Sequence, residues 1–142
     1  MVVFTKVNPV TKDKFDVSNL SEEQWQQRLS PEAFYVCRQK GTERAFTGQY
    51  DQHFEAGIYT CHCCGETLFN SESKYNSGCG WPSFDAKQGH INEVADHSHG
   101  MVRTEVTCAN CDAHLGHVFN DGPTATGLRY CINSVAIDFE NS

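Results

Sequence analysis

The spacing of apolar residues changes character once along the chain, dividing a helical beginning from a strand-rich remainder. Trp25 and Leu29 fall on one helical face, and Ser21 with Gln24 completes a capping box ahead of them. That pattern predicts a helix from Glu22 to about Leu29. Ser30-Pro31 opens a second helix, with the serine as N-cap and the proline at the first helical position. Its inner face carries Phe34 and Cys37, and Gly41 is placed to end it.

Beyond Gly41 the period becomes two. Gly57-Ile58-Tyr59-Thr60 reads as a strand running into a cysteine cluster, and Val102, Thr104 and Val106 alternate with Arg103, Glu105 and Thr107. Leu115 to Phe119 and Leu128 to Asn133 are short strands bounded by turn residues. Val135, Ile137 and Phe139 alternate with Ala136 and Asp138 as a closing strand. The connections are rich in Gly, Asn, Asp and Ser, which suits antiparallel hairpins and meanders. The fold class predicted is mainly β, antiparallel, with short helices at the N-terminal end.

Composition adds a constraint. With 142 residues, 39% of them hydrophobic, and a mean hydropathy of -0.51, the chain is polar for one that must bury a core. It calls for a staple beyond apolar packing, and eight cysteines supply the material. The formal net charge of -7, without a basic stripe, excludes nucleic acid and an anionic membrane as main partners. No apolar run approaches the roughly 18 residues of a membrane span, and Met1 to Val10 lacks the apolar core of a secretory signal. A cytoplasmic location is expected, where clustered cysteines bind metal or do redox chemistry rather than form structural disulfides.

Cys61 and Cys64 form one C-x-x-C pair, and Cys108 and Cys111 form another. Two residues between thiolates let both sulfurs of a tight turn reach one ion at about 2.3 Å, so two such turns complete a tetrahedron. One structural zinc held by Cys61, Cys64, Cys108 and Cys111 is the expectation, because four thiolates leave no position open for water. Cys63 and His62 lie inside the first pair without the ligand spacing and are read as bystanders. The competing reading makes these cysteines small buried hydrophobes.

Two further cysteines have surroundings that suggest chemistry. Cys79 is flanked by Gly78 and Gly80, with Trp81 beside them, and Cys131 follows Arg129, whose charge favours a thiolate. His114 and His117 offer imidazoles for proton transfer near neutral pH. Each has a plainer alternative: inert core for a strand cysteine, a structural role or a second metal for the histidines, core packing for the tryptophan.

The segments Ser77 to Phe84, Cys108 to Phe119, Asp121-Gly122-Pro123 and Arg129 to Ser134 together resemble the signatures of the peptide-methionine (R)-S-oxide reductases, the MsrB family. Gly41-Thr42-Glu43 and Phe46-Thr47-Gly48 are similar to that family's N-terminal portion. The resemblance runs from about Leu20 to Phe139 and implies a leading extension, 1–18, before a catalytic domain, 19–142. It implies two antiparallel sheets, with the four-cysteine zinc site at the end away from the active site. By position, Cys131 matches the family's nucleophile, Cys79 its resolving cysteine and Trp81 the aromatic wall that receives the substrate methyl. His114, His117 and Asn133 match polar active-site positions. Cys37 and Cys63 match no role in the family.

The implied reaction is reduction of methionine-R-sulfoxide, free or in proteins, one enzyme serving each epimer. Cys131 thiolate attacks sulfur while an imidazolium, His117 ahead of His114, protonates the oxygen. The sulfenic acid condenses with Cys79, and thioredoxin, the usual donor in the family, reopens the disulfide. A monomer is expected. Two other functions stay open at this point: a general thiol-disulfide oxidoreductase using Cys79 and Cys131, and a non-enzymatic zinc-bearing interaction module.

Overall fold

The computed structural model describes residues 20–141, so the predicted leading extension lies outside the described residues. Two helices come first: α1 (Glu22–Arg28) and α2 (Pro31–Gln39). The strands follow as β1 (Gly57–Cys61), β2 (Thr67–Asn70), β3 (Lys74–Tyr75), β4 (Ser83–Phe84), β5 (Ile91–Asp96), β6 (Arg103–Cys108), β7 (His114–Phe119), β8 (Arg129–Ile132) and β9 (Ile137–Asn141). They form a three-stranded sheet, β2-β1-β9, and a six-stranded sheet, β3-β4-β8-β7-β6-β5, with every pairing antiparallel. The expected class, mainly β in two antiparallel sheets, is the one observed. Among the described residues no helix is long and apolar enough to cross a membrane.

Both helix starts follow from their caps. Ser21 accepts from the Gln24 N–H while the Gln24 side chain accepts from the Ser21 N–H, and Ser30 accepts from the Ala33 N–H with Pro31 in the first turn. The end of α2 differs from expectation. The left-handed residue is Lys40, at φ 61°, and Gly41 is needed for another reason: a Cβ there would run into the Tyr35 ring. Trp25 is buried, with the Arg38 guanidinium 4.4 Å over its ring, and Arg38 donates to the Cys111 carbonyl at 2.7 Å. That contact ties the helices to the β6–β7 turn.

Aromatic residues join the sheets. Tyr59 of β1 and Phe69 of β2 meet Phe84 of β4 and Tyr130 of β8; Phe69 stacks on Phe84 at 4.3 Å, and Tyr59 meets Phe84 edge-on at 5.2 Å. Val106, Leu115 and Ile132 fill the same core. The other face of the large sheet is polar: Asp96, Arg103, Glu105, His114, His117, Cys131 and Ser83 occur along it, linked by cross-strand register or by hydrogen bonds.

Three strand expectations need correction. Val102 is not part of β6; it lies in the preceding loop, 80% exposed, while the strand begins at Arg103. The closing strand starts at Ile137 rather than Val135, because the N–H groups of Ser134 and Val135 donate to the Glu43 carboxylate instead of a neighbouring strand. Four strands, β2 to β5, carry no readable signal in the sequence: β3 and β4 have two residues each, and β5 is an edge strand exposed along most of its length.

At Gly116 the backbone of β8 lies against β7, and a Cβ there would run into the Cys131 carbonyl. Gly116→Ala should therefore cost about 1–3 kcal/mol, the usual cost of overpacking. A urea titration checks it: the midpoint falls with an unchanged slope. A wild-type midpoint would mean the strands separate freely.

Candidate active site and metal centre

The two C-x-x-C turns are built alike. Cys61 ends β1 and Cys108 ends β6. After each pair comes a left-handed residue, Gly65 at φ 86° and Asp112 at φ 63°, whose N–H returns to the carbonyl of the first cysteine at 2.8 Å. The first cysteine's own N–H then bonds the carbonyl of Glu66 or Ala113, five residues on. Each turn thereby presents two sulfurs on one side.

Their four sulfurs, from Cys61, Cys64, Cys108 and Cys111, lie within 4.8 Å of one another and all four residues are buried. The Cys61–Cys111 and Cys64–Cys108 separations are both 3.6 Å. A tetrahedron with metal–sulfur bonds of about 2.3 Å has edges of about 3.8 Å, so the set fits a thiophilic ion such as zinc. The Cys108 thiol pushes Cys61 up and pulls Cys64 down, with the other cluster thiols acting in the same direction on each. Among the described residues these four are the cluster that could hold a metal. Cys63 is buried beside it, and His62 points to Asp138 at 3.0 Å; neither is one of the four.

The second centre is a cleft of about 310 Å³ on the polar face of the large sheet. Cys131 on β8 pairs across the sheet with His117 on one side and Ser83 on the other. Cys79 reaches it from the β3–β4 loop, Sγ to Sγ 3.4 Å. Positive φ at Gly78 and Gly80, 77° and 95°, lets that loop fold back, and the Gly80 carbonyl is held by the Phe46 N–H at 2.7 Å. The flanking glycines thus shape the loop that delivers the sulfur.

The two sulfurs share a proton. The hydrogen bond from Cys131 holds Cys79 down to about 4, against burial, helped by the hydroxyls of Ser77 and Ser83 at 3.0 and 3.4 Å. The same bond pushes Cys131 far up, burial adds to it, and Arg129 pulls the other way. Arg129 does approach Cys131 as its position suggested, but its guanidinium is also clamped by Asp121 through bonds of 2.8 and 3.0 Å. The first ionisation of the pair is easy and the second hard, so the pair is one titrating unit.

Trp81 lines the cleft with its indole fixed by a 3.0 Å bond from Nε1 to the Glu43 carbonyl. His117 lines it too, its Nε2 lying 2.8 Å from Asp96 Oδ2. His114 does not. It faces a neighbouring cavity of about 590 Å³, buried, with Nδ1 2.8 Å from Glu105, and burial holds its pKa below the ordinary imidazole value. Asn133 is at the cleft, but its amide serves the main chain: Nδ2 donates to the Leu115 carbonyl at 3.0 Å, and Oδ1 accepts from the Glu43 N–H at 2.9 Å.

Four residues of the site have no role that the sequence alone assigns: Glu43, Asp96, Arg103 and Phe119. Glu43 is a buried hub that binds Ser134, Val135, Asn133 and Trp81, and desolvation raises its pKa. Arg103 and Phe119 line the cleft. Asp96 announces itself by no motif, since its partner His117 lies on a strand two places away in the sheet.

Comparison with known proteins agrees with this geometry. The SelR domain family matches residues 29–141. A peptide methionine sulfoxide reductase MsrB of Pseudomonas syringae is 63% identical over 118 residues, covering 82% of this chain and 90% of the relative. The proteins of the same name from Acinetobacter baylyi and Cellvibrio japonicus are 58% and 55% identical over 124 residues, each covering 86% of this chain and 89% of the relative. A cleft joining two cysteines, an imidazole and an anchored indole, beside a four-sulfur cluster, therefore has its explanation in kinship: the chain belongs to the MsrB family, the peptide-methionine (R)-S-oxide reductases.

Proposed function

We propose that this enzyme reduces methionine-R-sulfoxide, free or within proteins, through attack by Cys131 on the sulfoxide sulfur. The observation that carries the reading is the 3.4 Å contact between Cys131 and Cys79 on the wall of a cleft that also holds His117 and Trp81. The Trp81 face receives the methyl group, its indole held flat by Glu43. Binding places the sulfoxide sulfur against Cys131, whose proton passes to the Cys79 thiolate. The Cys131 sulfur bonds to the sulfoxide sulfur while His117 protonates the oxygen. The hydroxyl then passes to the Cys131 sulfur as the substrate's S–O bond and the new S–S bond both break. Methionine leaves, and Cys131 carries a sulfenic acid.

Cys79 then attacks that sulfenic sulfur, forming the Cys79–Cys131 disulfide and releasing water. Approach from 3.4 Å to the bonding distance of about 2.0 Å is a small movement. An external dithiol, in this family thioredoxin, exchanges with the disulfide and restores both thiols. His114 and Asn133 act as supports: His114 sits with its ring centroid 5.5 Å from that of His117, and Asn133 pins β7 and Glu43. Zinc bound by Cys61, Cys64, Cys108 and Cys111 joins two hairpins and takes no part in the chemistry. Residues 19–142 form the catalytic domain, 1–18 precede it, and the enzyme works as a cytoplasmic monomer.

The shared proton gives the Cys79→Ser variant a specific signature. Removing Cys79 takes away the largest influence raising Cys131, leaving burial against Arg129. The alkylation rate of Cys131 should then rise at a lower pH than in the wild type. The variant should still yield one methionine per enzyme in a single turnover but stall with thioredoxin. Wild-type cycling with thioredoxin would remove Cys79 from the resolving role.

His117→Asn should slow single-turnover methionine formation by roughly 10²- to 10⁴-fold, with substrate affinity nearly unchanged. An unchanged rate would pass the donor role to another group. For the metal, elemental analysis should find about one zinc per chain, and Cys108→Ser should give metal-poor, unstable protein. Full stability in that variant would refute a structural zinc.

A further inference from the structure

Asp96 is the last residue of β5 and pairs across the sheet with Arg103, the first residue of β6. Its carboxylate is held from three directions. Oδ1 accepts from the Ser98 N–H at 2.9 Å, Oδ2 lies 2.8 Å from His117 Nε2, and Arg103 Nη2 stands 3.5 Å from Oδ2 while donating to the Ser98 hydroxyl at 3.3 Å. The charge is also secure, since the bond to His117, then the Ser98 N–H, holds the Asp96 carboxyl well below the usual range.

The other charged groups near the His117 ring have partners of their own. On β6, Glu105 is taken by His114 at 2.8 Å and Lys40 at 3.5 Å, and Arg103 is taken by Asp96 and Ser98. On β8, Arg129 is clamped by Asp121, and Cys131 shares its proton with Cys79. Asp96 is thus the carboxylate in contact with His117. It occupies Nε2, and the nitrogen remaining for the cleft is Nδ1.

We propose that Asp96 is the positioning residue of the proton donor: its carboxylate grips His117 by Nε2 and leaves Nδ1 to deliver the proton to the sulfoxide oxygen. The inference rests on His117 acting as donor. After transfer the ring is neutral with its remaining proton on Nε2, still bonded to Asp96, so one tautomer persists and the Nδ1 lone pair is free to be reprotonated. The carboxylate gains no proton and breaks no bond. Arg103 and Ser98 keep it from turning towards solvent.

The test is single-turnover methionine formation from the R epimer. Asp96→Asn should be slower by about tenfold or more, a share of the full general-acid effect. Asp96→Glu should recover most of the rate. Added to His117→Asn, the Asp96→Asn change should do nothing further, as for residues acting through one group. A loss that persists in the His117→Asn background would make Asp96 merely structural and overturn the proposal while leaving His117 as donor. An unaffected His117→Asn enzyme would instead remove the donor reading itself. A readout free of folding effects is the nitrogen spectrum of His117 in the wild type: the neutral ring should carry its proton on Nε2, and a proton on Nδ1 would overturn the assignment.

Discussion

The register between β7 and β8 is the constraint on which the site depends. With Gly116 opposite Ile132, His117 falls opposite Cys131, and the imidazole and the sulfur share a face of the sheet. A slip of one residue would turn either side chain into the aromatic core, since strand side chains alternate between faces. Several features pin that register. Gly116 lets the strands close where a Cβ would strike the Cys131 carbonyl, and Asn133 ties the end of β8 back to Leu115. β4 then adds Ser83 on the other side of Cys131, which brings the loop bearing Cys79 within reach.

The two sulfur centres sit on one scaffold without interfering. β6 begins at Arg103, beside the cleft, and ends at Cys108, in the four-sulfur cluster. Five residue steps of strand separate them by about 17 Å. The cluster cysteines are buried, whereas Cys79 and Cys131 are only partly so. Distance and burial therefore divide eight chemically similar side chains into a buried cluster of four and a partly exposed pair at the cleft, with Cys37 and Cys63 left as core.

Features determined by neighbours in the chain were legible in the sequence. Ser21 with Gln24, Ser30 with Pro31, and both C-x-x-C turns act over three or four residues, and their geometry follows from local hydrogen bonds. Features determined across strands were not. β3 and β4 are too short to show a period, and β5 lies at the sheet edge with polar residues on both sides. Val135 alternates correctly with Ile137 yet belongs to a turn, because Glu43 takes its N–H from ninety-two positions away. The histidines show the same limit. His114 and His117 look equivalent in the sequence, but the register irregularity between Val106 and Thr107 sends one to the Glu105 side cavity and the other to the cleft.

The closeness of Cys79 to Cys131 bears on durability as well as on turnover. Sulfenic acid that lingers is open to a second equivalent of peroxide, which carries it to sulfinic acid and out of reach of ordinary thiols. In the proposed cycle its escape is condensation with Cys79, whose sulfur stands 3.4 Å from that of Cys131. A resolving sulfur that close leaves a brief interval in which irreversible overoxidation can compete. On the proposed mechanism, the contact that closes the catalytic cycle also guards the enzyme against the class of oxidant whose damage it reverses.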